Sequence, residues 1–170
     1  NVPSVRSAIV SAPLRLWQRE ALDRYAAADP QDFLVSATPG AGKTTFALTL
    51  ADRLRERKVV NRVVVVVPTD HLRTQWADAA ARVGIRLDPR FSNRQHIHAR
   101  HFHGVAVTYA QVAVKASVHQ HLVNDASTLV ILDEVHHAGD GLSWGEAVTE
   151  AFTPARRRLC LTGTPFRTKA

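Results

Sequence analysis

The residues best suited to chemistry fall in two short runs, ATPGAGKTT from Ala37 to Thr45 and DEVHH from Asp133 to His137. In the first, Gly40 and Gly42 let the main chain take turns closed to other residues and approach a ligand closely. The amides of such a loop, with those at the start of a following helix, concentrate partial positive charge suited to phosphate. Lys43 adds a full charge aimed at the β- and γ-phosphates of a nucleotide, and the Thr44 hydroxyl is suited to ligate Mg2+. Thr38, Pro39, Gly40, Ala41, Gly42, Lys43, Thr44 and Thr45 are therefore the candidate phosphate-binding residues. The generic pattern has Gly where this chain has Ala37, and the competing reading is a chance glycine-rich turn. In the second run, one carboxylate of an adjacent pair can anchor Mg2+, usually through water, while the other polarises an attacking water as general base. Asp133 is assigned to the metal and Glu134 to the water, with Lys43 completing the catalytic set. The competing reading is an acidic turn closing a buried strand. His136 and His137 follow at once, either as surface histidines or as residues that couple nucleotide state to the rest of the protein. An adjacent pair with no cysteine nearby is a poor metal-ligand set.

These runs need a frame to hold them. Short apolar segments predict strands at 33–37, 62–67, 104–108, 129–132 and 158–161, each apolar on both faces and so suited to a parallel sheet covered by helices. Between them lie helical stripes: Trp17, Ala21, Tyr25 and Ala28; Phe46, Leu50 and Leu54 within 44–57; and Leu72, Trp76, Ala79 and Val83, closed by Gly84 as C-cap. Ser143 and Glu146 have capping-box spacing ahead of Val148 and Phe152. The alternation predicts a three-layer α/β/α domain with right-handed crossovers and a mainly parallel sheet. Ligands of such sheets gather at the carboxyl ends of the strands, where both runs fall.

A chain of 170 residues holds one well-buried domain, and 45% hydrophobic with 22% charged residues is ordinary for a globular one. The formal charge of +7 favours polyanionic partners such as nucleic acid, although the arginines are scattered and a plain basic surface would give the same number. The single cysteine, Cys160, rules out an intrachain disulfide framework and fits a reducing cytoplasm. No signal peptide pattern is present, and the longest apolar run is too short to cross a bilayer, so no membrane partner is expected. The absence of any Met suggests a piece of a longer chain.

Taken together, these residues resemble the superfamily 2 helicases and translocases of DExH type. AxxGxGKT is the form of the phosphate loop in that family, so Ala37 fits; DEVH, 133–136, is similar to its DExH box; and LTGTPFR, 161–167, resembles its third motif in the XPB-type and type III restriction-like branches. LRLWQREAL, 14–22, resembles the adenine-recognition element of those branches, PTDHLRTQW, 68–76, a motif touching the nucleic-acid backbone, and VTYAQV, 107–112, a later strand-contacting motif. The resemblance implies a first RecA-like, helicase ATP-binding domain over 1–170 that uses ATP and Mg2+ and acts on nucleic acid, with DNA the first expectation and RNA the alternative. By the same resemblance Gln18 contacts adenine with support from Arg15, while Thr162 and Thr164 link the γ-phosphate site to domain movement. Thr69, Arg73, Thr108 and Tyr109 are candidates for nucleic-acid contact, against a competing reading in which Leu72 and Trp76 are core and Thr108 merely ends a strand. A second RecA-like domain, absent from this chain, would supply an arginine finger, so the piece alone is expected to hydrolyse ATP poorly. The competing function is a nucleotide-dependent switch in which hydrolysis is incidental. His96, His98, His101 and His103, followed by His119 and His121, read either as a metal site or as a polar connection leading into a strand.

Overall fold

A computed structural model describes residues 13–38, 40–95, 100–136 and 142–163. In chain order the elements are α1 (Leu16–Ala28), β1 (Asp32–Ser36), α2 (Lys43–Glu56), β2 (Arg62–Val67), α3 (Asp70–Arg82) and β3 (Leu87–Asp88). They continue with β4 (Gly104–Thr108), α4 (Tyr109–Val114), α5 (Ala116–Asn124), β5 (Thr128–Leu132), α6 (Leu142–Phe152) and β6 (Arg157–Thr162). The six strands form one sheet in the order β1-β6-β5-β2-β4-β3, and every pairing is parallel.

The strand alternation splits the core in two. Val63, Val65 and Val67 of β2, with Leu129 and Ile131 of β5 and Leu159 and Leu161 of β6, face a cluster completed by Phe46, Leu54 and Trp76. Val64, Val66, Val130 and Leu132 face the opposite cluster with Phe91, Tyr109, Val112, Val148 and Phe152. Helices α1 to α3 therefore cover one face and α4 to α6 the other. The reason is the path of the chain. From β1 it moves across the sheet to β2 and β3, then reverses to β4, β5 and β6, and a right-handed crossover changes face when the direction reverses.

Strand limits fall within a residue or so of the sequence expectation, and the two-residue β3 is an addition. One expectation needs correction. β1 is not buried on both faces: among its five residues Val35 is buried while Leu34 is 52% exposed, because β1 lies at the edge of the sheet. Helix α3 ends as expected at Gly84, whose φ is +81°. The Ile85 N–H reaches the Ala80 carbonyl and the Gly84 N–H the Ala81 carbonyl, the paired bonds of a Schellman motif. Helix α6 begins at Leu142, so Ser143 lies in its first turn.

Candidate nucleotide site

Register brings the two sequence runs together. Ser36 at the end of β1 pairs with Thr162 of β6, and Leu132 at the end of β5 pairs with Cys160, two residues before Thr162. The glycine loop and the acidic turn thus emerge at one level on either side of β6. The Ala37 N–H donates to the Thr162 carbonyl at 3.1 Å, which fixes the start of the loop.

The loop itself is held from the side by α1. Arg15 Nη1 donates to the Gly40 carbonyl at 2.8 Å, Trp17 Nε1 to Ala41 at 2.8 Å and Gln18 Nε2 to Gly42 at 2.9 Å. Gln18 is buried, and its Oε1 accepts the Arg15 backbone N–H at 2.8 Å, the reciprocal arm of a capping box at the head of α1. Three successive loop carbonyls therefore point at α1, which leaves the opposite side of the loop to its amides. Gly40 at φ +80° and Gly42 at φ +92° make this turn, and Lys43, Thr44 and Thr45 open α2 directly after it. Thr44 is half-buried, whereas Thr38 and Thr45 are exposed.

Lys43 and Glu134 meet across the crevice. Lys43 Nζ lies 2.6 Å from Glu134 Oε1, and Glu134 Oε2 accepts the Gly163 N–H at 3.2 Å. His136 Nδ1 stands 3.5 Å from the same Oε2. Burial pushes the Glu134 carboxyl up, but the bonds from Lys43 and Gly163 and the charges of Lys43 and His136 outweigh it, so its pKa lies below the usual value. Glu134 also sits at φ +49°, a left-handed conformation that costs a non-glycine residue energy and often marks a functional turn. Asp133 behaves oppositely. Burial raises its pKa, opposed by a hydrogen bond from Trp76 Nε1 at 3.0 Å and by the charge of Lys43. Two neighbouring carboxylates are thus set apart by environment, one readily ionised and one desolvated.

The donor set fits a Mg2+–nucleotide. Lys43 supplies a cation, Thr44 and Asp133 would supply hard oxygen, and Gly163 lets the backbone run close beside the Lys43–Glu134 pair. A β-carbon at Gly163 would lie 3.0 Å from both Glu134 Oε1 and Lys43 Nζ. Trp17, Trp76 and Gly163 join the site without having been marked for it in the sequence; the signal was the need of a buried indole N–H for a partner. Thr162 is buried beside the loop. Pro39, His137 and Thr164 lie outside the described residues.

The residues expected to meet nucleic acid divide. Thr69 is exposed and caps α3, accepting the Leu72 N–H at 3.4 Å. Thr108 is buried as the cap of α4. Arg73 turns inward, donating to the carbonyls of Ala106 and Phe91 at 2.7 Å each. Tyr109 is fully buried, donates to the Asp133 carbonyl at 2.8 Å, and has its pKa pushed far up, chiefly by burial. Arg73 is half-buried, and Thr108 and Tyr109 are packed within the fold. Of the histidine run, His96 and His98 lie outside the described residues, and no group of three or more His, Cys, Asp or Glu side chains among the described residues could hold a metal ion. His119 is wholly buried in α5, not part of a polar connection. No described helix is long and apolar enough to cross a membrane.

Proteins related to this chain in sequence and in fold are known. An uncharacterised protein of Mycobacterium tuberculosis is 53% identical over 161 residues, covering 95% of this chain and 27% of its own length. One from Mycobacterium leprae is 53% identical over 157 residues, covering 92% and 26%. The chain therefore spans about a quarter of the relatives it matches. Among solved structures, the SWI2/SNF2 ATPase core of Sulfolobus solfataricus in complex with dsDNA superposes with a TM-score of 0.75 at 19% identity, over 93% of this chain and 33% of that one. The helicase domain of Pyrococcus furiosus Hef gives 0.66 at 22%, over 91% and 33%. The UvsW helicase of bacteriophage T4 gives 0.61 at 18%, over 92% and 54%. The fold is that of the first RecA-like domain of superfamily 2 helicases. Residues 11–167 match the family model of the type III restriction enzyme res subunit, and the chain belongs to that family.

Proposed function

We propose that this chain is the ATP-binding half of an ATP-dependent DNA or RNA helicase or translocase, which hydrolyses ATP to drive movement on nucleic acid. The observation that carries the reading is the convergence of Lys43, Glu134 and Gly163 beside a loop whose carbonyls are tied back to α1. The loop amides and Lys43 bind phosphate. Thr44 and Asp133 hold Mg2+, which when bound neutralises charge on the transferred phosphoryl group. Glu134 orients and deprotonates the attacking water; its bond to Lys43 must loosen as a phosphate takes over the lysine. Gln18 contacts adenine with support from Arg15, and Thr162, Thr164, His136 and His137 pass nucleotide state outward. Thr69 is exposed at the carboxyl edge and contacts the nucleic-acid backbone. A second RecA-like domain of the intact protein completes the cleft and contributes an arginine.

The left-handed backbone of Glu134, at φ +49°, supports the hydrolase reading over a switch that holds nucleotide without needing hydrolysis. The deciding experiment measures ATP turnover of the intact protein with and without DNA. Glu134→Gln is expected to lower turnover at least about a hundredfold while keeping nucleotide binding. Unchanged turnover would overturn the catalytic assignment.

A further inference from the structure

Asp133 is gripped twice, from two different elements. Its carboxylate Oδ2 accepts the indole N–H of Trp76 in α3 at 3.0 Å, and its main-chain carbonyl accepts the phenol of Tyr109, first residue of α4, at 2.8 Å. Both rings are buried, Trp76 to 2% and Tyr109 to 0% exposure. The two elements are also bound to each other. Arg73, one turn before Trp76, donates through Nε to the Ala106 carbonyl of β4 and through Nη2 to the Phe91 carbonyl. The same Phe91 carbonyl accepts Gln111 Nε2 from α4 at 2.6 Å. Helix α3, the Phe91 segment, β4 and α4 therefore form one hydrogen-bonded block that meets the acidic turn through Trp76 and Tyr109.

We propose that Trp76 and Tyr109 are positioning residues that couple the segments starting at Thr69 and Thr108 to Asp133, so that nucleic acid held along this edge sets the geometry of the Mg2+ site. The inference rests on the hydrolase reading above. A close-packed interior does not stretch, so a displacement of α3 or α4 either carries Asp133 with it or breaks a buried hydrogen bond. Trp76 fixes the side chain and Tyr109 fixes the backbone, and the two constraints together define where the carboxylate lies. Hydrogen bonds to a metal-ligating carboxylate commonly govern metal affinity as strongly as this. Arg73 serves the same block by tying α3 to β4. This explains why residues of two nucleic-acid motifs point inward: they transmit contact instead of making it.

The test uses the intact protein, Mn2+ as the metal probe and a fluorescent ATP analogue. Trp76→Phe removes the N–H and keeps an aromatic ring, and Tyr109→Phe removes only the hydroxyl. Each is expected to raise the Mn2+ concentration that half-saturates the nucleotide-bound protein, read by electron paramagnetic resonance, by about tenfold. Each should also lower the ratio of DNA-stimulated to unstimulated ATPase, while analogue affinity in EDTA stays at the unsubstituted value. In an Asp133→Asn background Trp76→Phe should add less than about twofold to the Mn2+ requirement, because the bond it removes has lost its purpose. Unsubstituted Mn2+ affinity and stimulation in both variants would overturn the inference. Parallel loss of analogue binding in EDTA would overturn it too, since that marks general damage to the fold. If the unsubstituted protein shows no metal-dependent nucleotide binding, the hydrolase reading falls and this inference falls with it.

Discussion

A methyl group at position 163 would stand 3.0 Å from both Glu134 Oε1 and Lys43 Nζ, the two atoms whose pairing defines the site. Gly163→Ala should therefore lower ATP turnover of the intact protein by about tenfold, roughly 1.4 kcal/mol of barrier, with little change in melting temperature. Gly42 is stricter. Its φ of +92° disfavours any side chain, and a β-carbon there would approach Gln18 Nε2 to 2.5 Å. Gly42→Ala is expected to weaken nucleotide binding by at least about tenfold, measured by titration with a fluorescent analogue, because it displaces the loop from α1. Lys43, Glu134 and the glycines were legible in the sequence because their chemistry is tied to short, local spacing. Trp17, Trp76 and Gly163 were not, because their roles depend on partners 24, 57 and 29 residues away. A tryptophan on an apolar stripe looks like core until the fold shows where its N–H goes.

At the scale of elements, Gly84 and His119 carry separate predictions. Gly84→Ala puts a β-carbon at φ +81° in the Schellman turn that ends α3, and should cost about 1 kcal/mol in urea unfolding. His119 packs edge-on to Phe91, with ring centroids 6.1 Å apart, and its Nε2 lies 2.8 Å from Asn93 Oδ1. Its Nδ1 is buried and has no hydrogen-bond partner among the described residues. Burial, with the nearby charge of Arg73, lowers its pKa to about 4. The unfolded chain takes up this proton first, near pH 6.5, so the stability due to a neutral His119 is complete above that value and is lost as pH falls toward about 4. Urea midpoints should decline across this window, and His119→Gln should flatten that decline while lowering stability at pH 7.5. The long helices were legible from stripes of 3.6-residue period. Helices α4 and α5 were not, since they run six and nine residues with a break at Lys115, too short for a period to emerge. That is also why His119 read as part of a polar connection. Strand β3, two residues long, offers no pattern at all.

For the whole molecule, the proposed function together with the formal charge of +7 on this chain predicts that phosphate contacts contribute to nucleic-acid binding. Affinity should fall at least about tenfold between 50 and 200 mM salt, and a flat salt response in a filter or anisotropy assay would contradict an electrostatic interface. The layered α/β architecture was legible because five strands are short, apolar and separated by helical stripes. The strand order was not, because nothing local in a sequence says which strand lies beside which. That order has a consequence for biosynthesis. Among the described residues β1 pairs with β6 alone, and Asp32 meets Arg158 across 126 steps of chain. As the polypeptide leaves the ribosome, β2 to β5 can assemble among themselves while the first strand waits without a partner. The strand that brings the glycine loop to the acidic turn is thus the last of the sheet to be synthesised, and nascent chains halted before residue 157 should gain no protection from protease on adding ATP.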